Sequence, residues 1–375
     1  MLPRPLRQRM LLALIVSAVL VLSGPYIGLL RAEIKSAFPG RFGLVVNTAI
    51  ALAIATAAAA ALARIRERRA LRYGALVAAG VFGAAYAHLL IRGSADTVVV
   101  ERFHFVEYGL IAFLFYRAWR PRGDTSALVL PVLAALIVGT LDEGLQWFVP
   151  DRIGEWRDLE LNAAASVCGL LFGIGVDPPD SLALSWRRGS PTRIGLAAAL
   201  TAFVLAAFVS TVHLGYAVHD AEIGSFLSRY SATELLRLSA ERAASGIRPL
   251  NNAPRLSRED QYLAEAIWHV QERNARWTDD LAASWFENAI LERYFAPALD
   301  LGHRWPSEQR AAAAAHTRIR AGSYASRANR LEIYTWNRRS FWMVAGACMV
   351  LVGAGGLIVD KHLAARAGRR RQALE

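Results

Sequence analysis

Seven stretches of this chain are each long enough and apolar enough to cross a bilayer: Leu11–Leu30, Leu44–Ala63, Gly74–Ile91, Ala127–Phe148, Leu161–Val176, Ile194–Leu214 and Phe341–Val359. A hydrocarbon core about 30 Å thick needs about 20 residues of helix at 1.5 Å rise each, so such blocks leave little choice of solvent. A more polar eighth block runs from Phe103 to Trp119. The expected fold is therefore all-α, a polytopic helical membrane protein of about eight transmembrane helices. The 54% apolar content and mean hydropathy of +0.27 agree with that class.

The net charge of +12 invites a nucleic-acid reading. Its distribution argues against one. Arg4, Arg7 and Arg9, then Arg64 to Arg72, Arg117 to Arg122, Arg187 to Arg193 and the tail from Lys361 all fall on one side if the chain crosses eight times. The alternate connections carry Glu33, Asp96, Glu101, Asp151 and Glu155 among fewer basic residues. The positive-inside rule then places both termini in the cytoplasm, and the expected location is a bacterial inner membrane. The first apolar run lacks an Ala-x-Ala site before Arg31 and reads as a retained helix. Cys168 and Cys348 both lie in spans and imply no disulfide framework.

The expected organisation is helices one to three over 1–93, a polar core of helices four to six over 94–176, and a cytoplasmic loop with helix seven over 177–215. A helical extracytoplasmic domain follows over 216–339, and helix eight with a basic tail closes the chain over 340–375. The first three helices read as scaffold. In 216–339, Ser231-Ala-Thr-Glu234 is a capping box, and further helices are expected through Trp268 and from Asp279 to Phe295. Glu265, His269 and Glu272 share one helical face there, with Glu287 and Glu292 on the next helix. Such groups can bind a metal in a bundle, but a full Glu-x-x-His pair is missing. The reading taken is a solvated face with Arg273, Arg276 and Arg293 as ion partners; no metal and no cofactor are expected.

The middle third breaks the rule that membrane helices avoid charge. Helix four opens with His104-Phe-Val-Glu107-Tyr108, helix five ends with Asp142-Glu143-Gly-Leu-Gln146, and helix six begins with Asp158-Leu-Glu-Leu-Asn162. Buried acids are costly unless they face protein or water. With alternating direction, Glu107 lies about 6 Å below the start of its helix and Asp142 about 9 Å short of Phe148, so these groups converge in the outer third of the bilayer. Spacings of three and four residues put each set on one helix face. Arg152, in the loop after helix five, supplies a guanidinium suited to an anion or to the acids. Trp147 and Trp156 are expected at interfacial depth. Ala165, Gly169 and Gly173 form a small-residue stripe for close helix packing.

At these positions the chain resembles the VanZ-like family of bacterial membrane proteins. The motif runs His104-x-x-x-Tyr108, Asp142-Glu143-x-x-Gln146 with Phe-Val-Pro-x-Arg152, then Asp158-x-x-x-Asn162 and Gly169, over about residues 80–176. Asp151 and Ala165 stand where the family commonly has Gly. The resemblance implies a link to the envelope and to low-level glycopeptide resistance, without an established reaction. The leading expectation is binding of a polar or anionic envelope ligand, such as a lipid head group, glycolipid or glycopeptide, at the outer leaflet. The ligand-binding residues expected are His104, Glu107, Tyr108, Asp142, Glu143, Gln146, Arg152, Asp158 and Asn162. The alternatives are acid–base catalysis on a lipid-linked substrate by the carboxylates with His104, ion-coupled transport, and polar packing alone. Membrane lipids are the expected partners, and nucleic acid is not.

Overall fold

The computed structural model describes residues 4–91, 95–149, 154–179, 186–246, 259–300, 302–315, 322–330 and 332–372. The chain is predominantly helical and divides into two compact units: Met1–Leu145 with Gly154–Phe208 and Trp342–Glu375, and Gln146–Ile153 with Val209–Phe341.

The first unit contains α1 (Arg4–Ala37), α2 (Phe42–Arg64), α3 (Arg69–Leu89), α4 (Ala95–Trp119), α5 (Ser126–Gln146, its last residue in the other unit), α6 (Trp156–Val176), most of α7 (Ser190–Val212) and most of α13 (Arg338–Gln372). Among the described residues seven of these are long and apolar enough to span a membrane, and α4 is not one of them. It is as long as the others but carries Glu101, Arg102, Glu107 and Arg117. Leu22, Leu44, Val77, Val350 and Leu351 are exposed on these helices, as lipid-facing side chains would be.

Helix α6 is the best buried of the seven, and its small residues explain why. A Cβ on Gly169 would collide with the Gly109 carbonyl of α4, and one on Gly173 would lie 2.6 Å from Tyr116. The backbones of α4 and α6 thus touch where only glycine permits it. The α6 C-terminus leaves carbonyls without helical donors. Arg72 of α3 donates to two of them, Gly175 O at 2.8 Å and Val176 O at 2.6 Å. Sequence reasoning counted Arg72 only as a cytoplasmic charge; it is buried and holds this helix end. On the same side Asp360 of α13 accepts from the Gly189 amide and the Thr192 hydroxyl at the start of α7, and the two helices meet closely at Gly195 and Gly356.

The second unit adds a small sheet that was not expected. Strands β1 (Tyr216–Asp220) and β2 (Gly224–Ser228) form an antiparallel hairpin, and β3 (Tyr324–Ala325) pairs parallel to β2. Helices α8 (Ala232–Ser245), α9 (Glu259–Arg276), α10 (Leu281–Tyr294), α11 (Ala296–Leu299) and α12 (Ser307–Ala314) complete the unit. The capping box at Ser231 and Glu234 forms, and Asp280 caps α10. Val218, Phe226, Leu235, Tyr262, Leu263, Ile290 and Phe295 build the core.

The hairpin turn is held by Asp220, which accepts the Glu222 and Ile223 amides and the Tyr294 hydroxyl and pairs with Arg293. Burial alone would raise its pKa; these donors outweigh that and hold it below the ordinary carboxylate range. Such a group adds stability above its unfolded pKa of about 4 and loses it as pH falls through the folded value. Asp220→Asn is therefore expected to lower the melting temperature at neutral pH and to flatten its fall below about pH 4. Thermal unfolding of parent and variant across that range checks both slopes.

Candidate functional site

Three helices bring the expected polar residues together in pairs. The Tyr108 hydroxyl of α4 donates to Asp142 Oδ2 of α5 at 2.8 Å. His104, one turn earlier, places Nδ1 2.8 Å from Asn162 Oδ1 of α6, a contact that requires the proton on Nδ1. The two rings on α4 stack at 5.7 Å between centroids. Gly139 makes the convergence possible: a Cβ there would lie 3.0 Å from Asn162 Nδ2 and 3.2 Å from Tyr108. Tyr108 and Asn162 are fully buried, and His104 and Asp142 nearly so.

Glu143 follows Asp142 and is also fully buried, with the Glu155 amide 3.4 Å from its Oε2. Gly154 explains how the chain returns so close, since a Cβ there would lie 2.5 Å from the Glu143 carbonyl. Helix α1 reaches the same place. At Gly24 an added Cβ would meet Asp142 Oδ1 at 3.7 Å, and the next residue is Pro25, which cannot donate to the preceding turn.

The remaining expected residues are placed differently. Glu107 is half-buried beside this cluster on α4, and Asp158 is half-buried near Glu101. Gln146 and the loop after it belong to the second unit. Trp147 is buried there, while Trp156 is 41% exposed. Arg152 lies outside the described residues. Two participants were missed. Glu101, read as a loop acid, sits on α4 and takes a forked ion pair from Arg157 at 2.6 and 2.7 Å. The signal was its position three residues before His104, on the same helix face.

The metal question in the second unit is also corrected. Glu265, His269 and Glu287 do not form a solvated face; all three are fully buried, and Arg273 is 3% exposed. Glu265 accepts from Ser228 Oγ and the Arg229 amide, and His269 Nδ1 meets Glu287 Oε2 at 2.6 Å. Glu287 Oε1 takes the Tyr324 and Ser326 hydroxyls. Burial raises the Glu265 pKa against the lowering by Arg229 and Ser228. These residues tie the sheet to α9 and α10. Among the described residues no three His, Cys, Asp or Glu are gathered to hold a metal.

In the first unit, the adjacent buried carboxylates Asp142 and Glu143 meet the Tyr108 phenol and the Glu155 backbone amide, with the His104–Asn162 pair one turn along α4, polar groups that can hold a hydroxyl- or amine-bearing group by hydrogen bonds. No protein-family model, curated protein or solved structure matches this chain.

Proposed function

We propose that this is a VanZ-like bacterial inner-membrane protein with eight spans, both termini cytoplasmic and the second unit outside. Its α4–α5–α6 core binds the polar head group of an envelope lipid or glycolipid at the outer leaflet. The observation that carries the proposal is the burial of Asp142 and Glu143, side by side near the end of α5. An acid costs up to about 2.5–3.5 kcal/mol at a helix centre on insertion scales and less toward a helix end, whereas an interhelical hydrogen bond returns about 0.6 kcal/mol on average. Packing alone is poorly served by two such acids. A ligand offering hydroxyls or amines to the carboxylates, with its anionic group met by Arg152, gives them a use.

The second reading is a structural lock, favoured by the matched pairs Tyr108–Asp142 and His104–Asn162. Asp142→Asn with Glu143→Gln separates the two, because amides keep the shape and hydrogen bonding without the charge. In a host lacking the protein, the ligand reading expects this variant to accumulate normally in the membrane yet fail to restore the envelope phenotype, read as glycopeptide sensitivity. Full restoration by a stable variant would contradict it.

A further inference from the structure

At the other end of α5, within the first unit, cations gather beside a carboxylate that is already occupied. A short turn, Arg120–Arg122, leads through Asp124 to Ser126 at the start of α5, and Ser190 opens α7 beside it. Asp124 is buried and serves both helix starts: Ser126 Oγ donates to its Oδ1 at 2.5 Å and the Ser190 hydroxyl to its Oδ2. Burial would raise its pKa; those hydroxyls, with the Arg187 and Ser126 amides, outweigh that and hold it below the ordinary carboxylate range. Its oxygens are taken by hydroxyls rather than by arginine. Arg122 and Arg193 stand beside it, both half-buried. Arg193 places one terminal nitrogen on Ser190 Oγ at 2.9 Å, yet the buried Nε of each guanidinium has no hydrogen-bond acceptor among the described residues. Burial and the neighbouring Arg193 charge push the Arg122 pKa down, and Asp124 opposes them. Two guanidiniums drawn partly out of water beside a saturated acid are left under-compensated unless an anion joins them.

We propose that Arg122 and Arg193 hold the phosphate of an anionic lipid in the leaflet at this end of the helices, the cytoplasmic leaflet in the topology given above. Guanidinium N–H groups meet phosphate oxygens in charge-assisted forks, and both arginines lie where two apolar helices begin, at the depth of lipid phosphates. The exposed Arg187 and Arg188 add charge of the same sign next to Ser190. With Asp124 saturated, a head group that brings its own ammonium finds like charge here, which selects phosphatidylglycerol over phosphatidylcholine. The site shares no residue with the α4–α5–α6 cluster and stands whether or not that cluster binds a ligand.

The test follows thermal unfolding of the full-length protein in detergent at about 0.5 M NaCl, where exposed charges are screened and half-buried ones much less. Phosphatidylglycerol, phosphatidylcholine or inorganic phosphate is titrated in. Phosphatidylglycerol should raise the melting temperature of the parent, and the other two should not. Arg122→Gln should weaken the apparent affinity for phosphatidylglycerol about tenfold. In phosphatidylcholine alone the same variant should melt no lower than the parent, because one of two neighbouring cations is gone. Arg187→Gln with Arg188→Gln, both exposed, should keep the parent response. Arg193→Gln also loses the bond to Ser190, so Arg122→Gln carries the decision. An undiminished response in Arg122→Gln, or no response in the parent, would overturn the proposal. So would a lower melting temperature of Arg122→Gln in phosphatidylcholine, since the guanidinium would then have a structural partner. Equal stabilisation by phosphatidylcholine or inorganic phosphate would rule out an anionic-lipid site, and an equal loss in the Arg187→Gln/Arg188→Gln protein would reduce it to diffuse surface charge.

Discussion

Glu287→Ala should cost the second unit a large share of its stability. The carboxylate takes His269 Nδ1 at 2.6 Å on one oxygen, and on the other the Tyr324 hydroxyl at 2.6 Å and the Ser326 hydroxyl at 2.5 Å, with His269 and Glu287 fully buried. Burial and the neighbouring Glu287 charge push the Tyr324 hydroxyl far up, so it stays a donor at every relevant pH. Truncation would strand the buried His269 and Ser326 donors and take the acceptor from the half-buried Tyr324 hydroxyl. Breaking one partner of a buried charged network costs about 3–5 kcal/mol, against about 5–15 kcal/mol for a whole domain. Glu287→Gln keeps one acceptor oxygen but turns an N–H toward one of the donors, and should fall between. Hydrogen exchange of α9 and α10 in the intact protein reads the loss; protection within about 1 kcal/mol of the parent would show that the network is dispensable.

Gly169→Leu should do comparable damage in the first unit. Any Cβ at 169 meets the Gly109 carbonyl, a backbone atom of α4 that cannot swing aside. Relief requires the two helices to separate, which would also part Tyr116 from Gly173 and stretch the His104–Asn162 contact. Overpacking commonly costs about 1–3 kcal/mol, and a backbone-on-backbone clash belongs at the upper end or beyond. Membrane abundance and thermal unfolding in detergent should both fall sharply. Gly28→Leu is the control, because an added Cβ there meets nothing within 4 Å. Equal behaviour of the two variants would mean that the α4–α6 approach is not what holds this core together.

Length and apolarity made the membrane helices legible, because a bilayer imposes both on any segment that crosses it. The stripe of Ala165, Gly169 and Gly173 was legible for a related reason: small residues at helical spacing have few other uses. The sheet was not. Its strands run five residues or fewer, and β2 reads Gly-Ser-Phe-Leu-Ser, a pattern with little strand propensity until β3 arrives from about a hundred residues later. The Glu265–His269–Glu287 group was misread because periodic charge looks the same whether a face meets water or partners distant in sequence; Ser228, Tyr324 and Ser326 decide the matter here. Glu101 and Arg72 were hidden likewise, the first by an element boundary, the second because a capping arginine resembles a topological one. Within the candidate site, residue identities were legible but pairings were not. Spacing placed Tyr108 and His104 on one face, and only the packing at Gly139 and Gly24 determines which partner each one meets.

The most direct measurement of the central claim is the lipid that stays with the protein. Parent and the Asp142→Asn/Glu143→Gln variant would be purified side by side from the same membranes and their bound lipids identified by mass spectrometry. The account predicts a stoichiometric polar head-group lipid on the parent that is absent from the equally stable variant. The same lipid at the same stoichiometry on both would contradict it.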